Sequence, residues 1–195
     1  MNGAMLWLMD THEAPLRLFF ALWPSARDAR AIMDWAHDAH RCCGGRIMRQ
    51  DTLHITLAFL GETSSGRASQ LIEAAPCWPA PVGQVTLRRF GRFAGPRIVW
   101  AGPGRDDNDR TPWLDALHDS LWGRLQAMGW NRPASVFRPH VSLLRRAGQA
   151  DLSALRRAPL AWTPEKCVLV ASQPAQTGSY YKVLASMPIR GYAGY

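Results

Sequence analysis

Three of the six histidines are followed two positions later by a hydroxyl residue: His54-Ile-Thr56, His118-Asp-Ser120 and His140-Val-Ser142. The tripeptide is common, so its meaning depends on whether imidazole and hydroxyl share a face. His118 falls in a helical repeat, where residues two apart point in different directions, and is read as a surface helix residue. The other two tripeptides lie in strand-like sequence. In Leu53-His-Ile-Thr-Leu-Ala-Phe-Leu60, period two sends Ile55, Leu57 and Phe59 to a core face and His54, Thr56 and Ala58 to the other. The same alternation buries Val141 and Leu143 and projects His140 and Ser142 together.

Two imidazoles and two hydroxyls form a coherent set for phosphodiester hydrolysis. One histidine deprotonates the attacking water and the other protonates the leaving oxygen, both near neutral pH. Hydroxyls at the +2 positions, Thr56 and Ser142, donate to the non-bridging phosphate oxygens as negative charge builds. Such a centre needs no metal. Either tripeptide alone is equally readable as polar residues on an exposed strand, and it is the pairing that favours a site.

Arg138, Arg145 and Arg146 flank the second motif, and a guanidinium binds phosphate with a two-pronged fork. In an unbroken strand Arg145 points away from His140 and Ser142, so Arg138 and Arg146 are the expected phosphate-path residues. Phe19 and Trp23 have the rings to stack on a base but fit core packing better. Asp106-Asp-Asn-Asp109 lacks the glycine and terminal glutamate of a calcium loop and is expected to be an exposed turn. Gly102-Pro-Gly104 lacks the lysine and spacing of a phosphate-cradling loop, so no nucleotide cofactor is expected. Cys42, Cys43, Cys77 and Cys167 show no zinc spacing and read as free thiols in a reducing compartment.

The elements that must position these residues follow from pattern. Leu16–Trp23 reads as a buried strand, followed by a helix to about His40 with Ala29, Ile32, Met33 and Ala36 inward. Leu53–Leu60 is a strand, Gly66–Ala75 a helix, and Val82–Phe90 with Arg97–Ala101 a hairpin. Thr111-Pro112 opens a third helix, with Thr111 as its cap and Leu114, Leu117, Leu121, Leu125 and Met128 on one stripe until Gly129. Strands are expected at His140–Arg145, Cys167–Ser172 and Tyr180–Met187. This order fits antiparallel α+β architecture. Each half holds one His-x-Ser/Thr strand and one aromatic strand running to proline, which suggests duplication.

The 195 residues, 47% of them hydrophobic, suffice for one packed unit. The formal charge of +8 favours polyanionic partners, although only Lys166 and Lys182 are lysines and an arginine bias also follows from coding composition. No run approaches the roughly 18 to 20 apolar residues that cross a bilayer, and Met1–Asp10 lacks the features of a signal peptide. A cytoplasmic monomer without membrane attachment is expected.

Arg17-Leu-Phe-Phe-Ala-Leu-Trp-Pro24, Leu53-His-Ile-Thr-Leu-Ala-Phe-Leu-Gly61, Phe137-Arg-Pro-His-Val-Ser-Leu143 and the closing Tyr180–Pro188 strand resemble the 2H phosphoesterase superfamily. Within it, the likeness is to the RNA 2′,3′-cyclic phosphodiesterases, also called 2′-5′ RNA ligase-like proteins. It spans about Leu16 to Ile189, leaving residues 1–14 as an extension and residues 15–195 as a single bilobal unit. The resemblance implies two antiparallel sheets facing across a cleft, helices outside, each sheet contributing one histidine. It makes His54 the proton donor to the leaving 3′ oxygen and His140 the acceptor that activates water, leaving a 2′-phosphate end. Thr56 and Ser142 hold the phosphate, with Ser142 standing where threonine is usual. The implied partner is RNA with 2′,3′-cyclic phosphate or 2′-phosphate ends, with ligation as the reverse reaction. Other substrates, such as 2′-5′ oligonucleotides or small cyclic nucleotides, or a purely RNA-end-binding role, fit the same residues.

Overall fold

The computed structural model describes residues 15–104, 111–175 and 178–192. The proposed extension before Pro15 and the acidic segment Asp106–Asp109 lie outside the described residues.

β1 (Leu16–Trp23) leads into α1 (Ala26–Cys43), whose start is fixed by Ser25: its Oγ accepts from the Asp28 amide at 3.1 Å. The helix buries Ala29, Ile32, Trp35, Ala36, Ala39 and Cys43, and it ends at Gly44 with φ +58°. β2 (Arg46–Ile47) and a 3-10 turn (Gln50–Thr52) precede β3 (Ile55–Thr63) and α2 (Ser65–Ala74). Three short strands follow: β4 (Ala80–Val82), β5 (Val85–Leu87) and β6 (Arg89–Phe93). β7 (Ile98–Gly102), α3 (Pro112–Ala127) and β8 (Val141–Arg145) come next. The chain closes with β9 (Leu160–Trp162), β10 (Lys166–Ala175), β11 (Gly178–Met187) and β12 (Ile189–Gly191).

The expected hairpin is real but shorter than predicted. Only β6 pairs with β7, while β5 leaves to pair with β9 and β4 runs parallel to β12. The prolines and glycines between residues 76 and 95 break what hydropathy alone joins into one strand. α3 carries its leucines inward as predicted, but Thr111 makes no side-chain capping bond; its carbonyl accepts from Leu114 at 2.8 Å.

One hydrogen-bonded path runs β11-β10-β1-β3-β8-β7-β6, with β2 also on β8. It consists of two halves that meet at a single paired position, Ile55 with Val141. The expected two sheets are therefore joined edge to edge at one residue pair. β1-α1-β3 and β7-α3-β8 are equivalent units, and their helices are exchanged: α1 backs β8 and β2, whereas α3 backs β3 and β4. A contiguous core from Leu16 to Met187 fills the space between helices and sheet.

The equivalence extends to a bulge. On β3, Thr56 faces Ala21 and Ala58 faces Phe20, so Leu57 is an extra residue; on β8, Ser142 faces Trp100 and Leu144 faces Val99, so Leu143 is extra. Each bulge reverses the alternation beyond it. Phe59, assigned to the core by strict alternation, is instead 49% exposed, and Arg145 occupies the equivalent position.

β2 pairs with β8 through Arg46–Arg145 and Ile47–Leu144, and the lack of a side chain at Gly45 permits the close approach just before it. The φ of Gly45 is +93°, and a Cβ there would lie 2.8 Å from the Ala147 Cα and 2.9 Å from the Arg145 carbonyl oxygen. Replacing Gly45 by alanine should cost about 2 kcal/mol in a urea unfolding experiment, from left-handed strain and displaced backbone together.

Candidate active site

His54 and His140 each stand one residue before the Ile55–Val141 pair, and Thr56 and Ser142 one residue after it. Because Ile55 and Val141 are fully buried, the alternation of the two strands sends all four flanking side chains to the opposite, cleft face. The four residues singled out by pattern are thus brought together by one backbone pairing.

The two imidazoles are anchored alike. His54 Nδ1 lies 2.7 Å from the Thr52 carbonyl, and His140 Nδ1 lies 2.7 Å from the Arg138 carbonyl. A carbonyl only accepts, so each Nδ1 carries the proton and each Nε2 is left for chemistry. The 3-10 turn at Gln50–Thr52 presents the first carbonyl, and the irregular segment before β8 presents the second.

Aromatic rings fix the remaining orientation. Trp23 stacks on His54 with centroids 4.9 Å apart, Phe19 lies at 5.1 Å, and Tyr181 meets it edge-on at 5.6 Å. Phe93 and Trp100 hold His140 at 4.9 and 5.9 Å. Phe19 and Trp23 therefore join core packing to histidine positioning. Pattern alone misses Phe93, Trp100 and Tyr181, since only the strand pairing brings them to the motifs. The Trp100 ring in turn covers Gly91, its cross-strand partner, where a Cβ would come within 2.1 Å of it.

These surroundings set the electrostatics. Burial among the rings pushes His54 down to about 4, aided by the positive charge of His140 when protonated and of Arg145, and opposed by the Thr52 hydrogen bond. Burial also lowers His140, against the pull of the Arg138 carbonyl. Both imidazoles are neutral at pH 7 in the free protein.

The three arginines that flank the second motif are placed differently from one another. Arg138 is exposed and lines the cavity beside His140. Arg146 lies past the end of β8 with φ +54°, its carbonyl accepting from Arg97. The bulge at Leu143 turns Arg145 to the site face instead, and it is Arg145 whose charge reaches His54. His118 also differs from its reading as a surface residue: it is 6% exposed, stacked on Phe137 at 3.9 Å, and its Nδ1 is 3.3 Å from Arg132. It lines a cavity of about 530 Å³ shared with Thr56, Phe59 and His140. Among the described residues, no group of three or more His, Cys, Asp or Glu side chains is arranged to hold a metal ion. No described helix is long and apolar enough to cross a membrane.

A family model described as the 2′-5′ RNA ligase superfamily matches residues 21–173. The chain belongs to this superfamily. It is 33% identical over 136 residues to an RNA 2′,3′-cyclic phosphodiesterase of Escherichia coli, covering 70% of this chain and 75% of that one. It is 28% identical to the protein of that name from Thermus thermophilus, over 92% of this chain and 93% of the relative. In three dimensions it resembles Escherichia coli LigT complexed with 3′-AMP, with a TM-score of 0.74, 28% identity, and coverage of 90% of this chain and 98% of that one. The 2H phosphoesterase resemblance and the α+β fold read from the sequence are both borne out.

The pH behaviour is open to NMR titration. The folded-state value of His54 lies below the ordinary 6.5, so folding favours its neutral form. Its contribution to stability is complete above pH 6.5 and is lost as the pH falls toward 4. Replacing Arg145 by glutamine removes a cation from beside the ring, and the His54 midpoint should move upward.

Proposed function

We propose that this protein hydrolyses RNA 2′,3′-cyclic phosphate ends to 2′-phosphate ends through His54 and His140, without a metal. The observation that carries the reading is the pair of Nδ1-anchored imidazoles flanking one strand pairing, each with a hydroxyl beside it. The names of the curated relatives support the substrate class.

In the proposed reaction the cyclic phosphate enters as an anion and draws a proton into a site that disfavours two. His54 takes the donor role and His140 the acceptor role. Neutral His140 removes a proton from water as the oxygen attacks phosphorus, opposite the 3′ oxygen. Protonated His54 delivers its proton from Nε2 to that 3′ oxygen as the P–O3′ bond breaks. Burial and the Arg145 charge make its proton loosely held, which suits a donor to a developing alkoxide. Thr56 and Ser142 hydroxyls donate to the non-bridging oxygens, and Arg138 offers its guanidinium from the loop side. When a ribose 5′-hydroxyl replaces water, the same sequence joins two RNA ends through a 2′-5′ bond: His140 takes the proton of that hydroxyl as its oxygen attacks phosphorus, and His54 protonates the departing 3′ oxygen. The name of the superfamily, 2′-5′ RNA ligase, supports this second nucleophile.

Incubating the protein with a short RNA bearing a 2′,3′-cyclic phosphate, in EDTA, should give the 2′-phosphate product. Unchanged substrate, or turnover that survives loss of both histidines, overturns the reading. Alanine at either histidine should lower kcat by about a hundred- to ten-thousand-fold, and Thr56→Val or Ser142→Ala by about a hundredfold. The profile of kcat/KM against pH should be a bell lying on the acid side of 6.5, because burial lowers both groups in the free protein. The kcat profile should lie at higher pH, since bound phosphate favours the charged imidazoles.

A further inference from the structure

We infer that the cavity between His118 and His140 receives the nucleoside that carries a 5′-hydroxyl nucleophile, with His118 Nε2 hydrogen-bonded to the edge of its base. This rests on the donor and acceptor roles proposed above and says where the second RNA end binds.

The size and position of the cavity point to this occupant. Hydrolysis needs only a water at His140, whose share of liquid volume is about 30 Å³. The cavity measures about 530 Å³, within the roughly 300–1,000 Å³ of sites that hold small organic ligands. His140 and Thr56 are among its walls, and His54 is not. In-line attack sets the entering oxygen opposite the leaving 3′ oxygen. The ribose of the cyclic end is tied to phosphorus through its own 2′ and 3′ oxygens, so the body that extends from the His140 side belongs to the nucleophile. The 5′ oxygen bonds to phosphorus as its proton passes to His140, and the P–O3′ bond breaks as His54 supplies a proton to the 3′ oxygen.

His118 gives this cavity a polar contact held in place from behind. The residue is 6% exposed, its ring lies flat on Phe137 with an interplanar angle of 12°, and Trp122 meets it edge-on at 6.5 Å. Its Nδ1 is 3.3 Å from both Arg132 Nη2 and Asp119 Oδ1, which are themselves an ion pair at 2.6 Å. A guanidinium only donates and a carboxylate only accepts, so Nδ1 is served with its hydrogen or without it. Among the described residues none hydrogen-bonds Nε2, and the ring lines the cavity. Burial lowers the pKa of His118 against the pull of Asp119, which keeps the imidazole neutral at pH 7. Through Nε2 it therefore offers either an N–H or a lone pair, and every nucleobase edge carries a partner for one of them. Phe59, Trp122 and Phe137 supply apolar rings on the same walls. Packing alone would be served by a phenylalanine at position 118.

Hydrolysis and joining compete for the same cyclic phosphate, so the ratio of 2′-5′ joined product to 2′-phosphate product reports acceptor binding from active molecules alone. An RNA 2′,3′-cyclic phosphate mixed with a short 5′-hydroxyl RNA should give a ratio that rises with acceptor concentration. An acceptor that lacks its 5′-terminal base should need about tenfold higher concentration to reach the same ratio. His118→Phe keeps the stack on Phe137 and should lower the ratio for the intact acceptor about fivefold. For the abasic acceptor its ratio should match that of the parent. His118→Gln keeps a polar group near the Nε2 position and should recover part of the loss.

Equal use of the two acceptors by the parent, or a His118→Phe ratio lowered alike for both, overturns the inference. A raised KM for the cyclic phosphate with an unchanged ratio assigns the cavity to the cyclic end and overturns it as well. Hydrolysis with no joined product at any acceptor concentration overturns the inference and leaves the proposed hydrolysis standing. No turnover of the cyclic phosphate overturns the proposed reaction itself, and the inference with it.

Discussion

A single backbone pairing, Ile55 with Val141, holds the site together. It joins two halves of a sheet that share no other paired residues at that seam, and four polar groups flank it on the cleft side. Each half alone would present one imidazole and one hydroxyl on an exposed strand. The pairing converts two such strands into one surface on which two titratable rings sense each other's charge. Both paired side chains are fully buried, so the seam is stabilised by apolar packing from below as well as by backbone bonds from within.

The rings around the histidines have two consequences. They exclude water from most of each imidazole, which lowers both pKa values, and they restrict each ring to the plane that its carbonyl partner dictates. Orientation and proton affinity are therefore set by the same atoms. The tryptophan that holds His140 is itself seated on Gly91, so a small residue well away from the motif determines where that imidazole lies.

The three main helices, the long strands and the two motif strands are legible in the sequence because their apolar periodicity spans several turns or repeats. The site tetrad is legible for the same reason: period two holds from His54 to Thr56 and from His140 to Ser142. It fails at the next residue. A bulge leaves no mark in composition, and leucine serves as well at a bulge as in an unbroken strand. Strict alternation consequently sends Phe59 inward and prefers Arg146 to Arg145. His118 escapes for a different reason. Helical periodicity separates it correctly from the strand motifs, but the segment that covers it, through Phe137, has no pattern of its own. The short strands β2, β4, β5, β9 and β12 are too brief for periodicity to reveal.

The exchange of helices between the halves bears on how the molecule acquires its activity. α1 follows β1 in the chain yet backs β8, and α3 follows β7 yet backs β3. Neither half can close its own core until the other has been synthesised and docked. Contacts of such wide sequence separation form late and cooperatively. A nascent or partly unfolded chain consequently displays two isolated imidazoles and no cleft, so competence to cut arrives in one step with the completed fold.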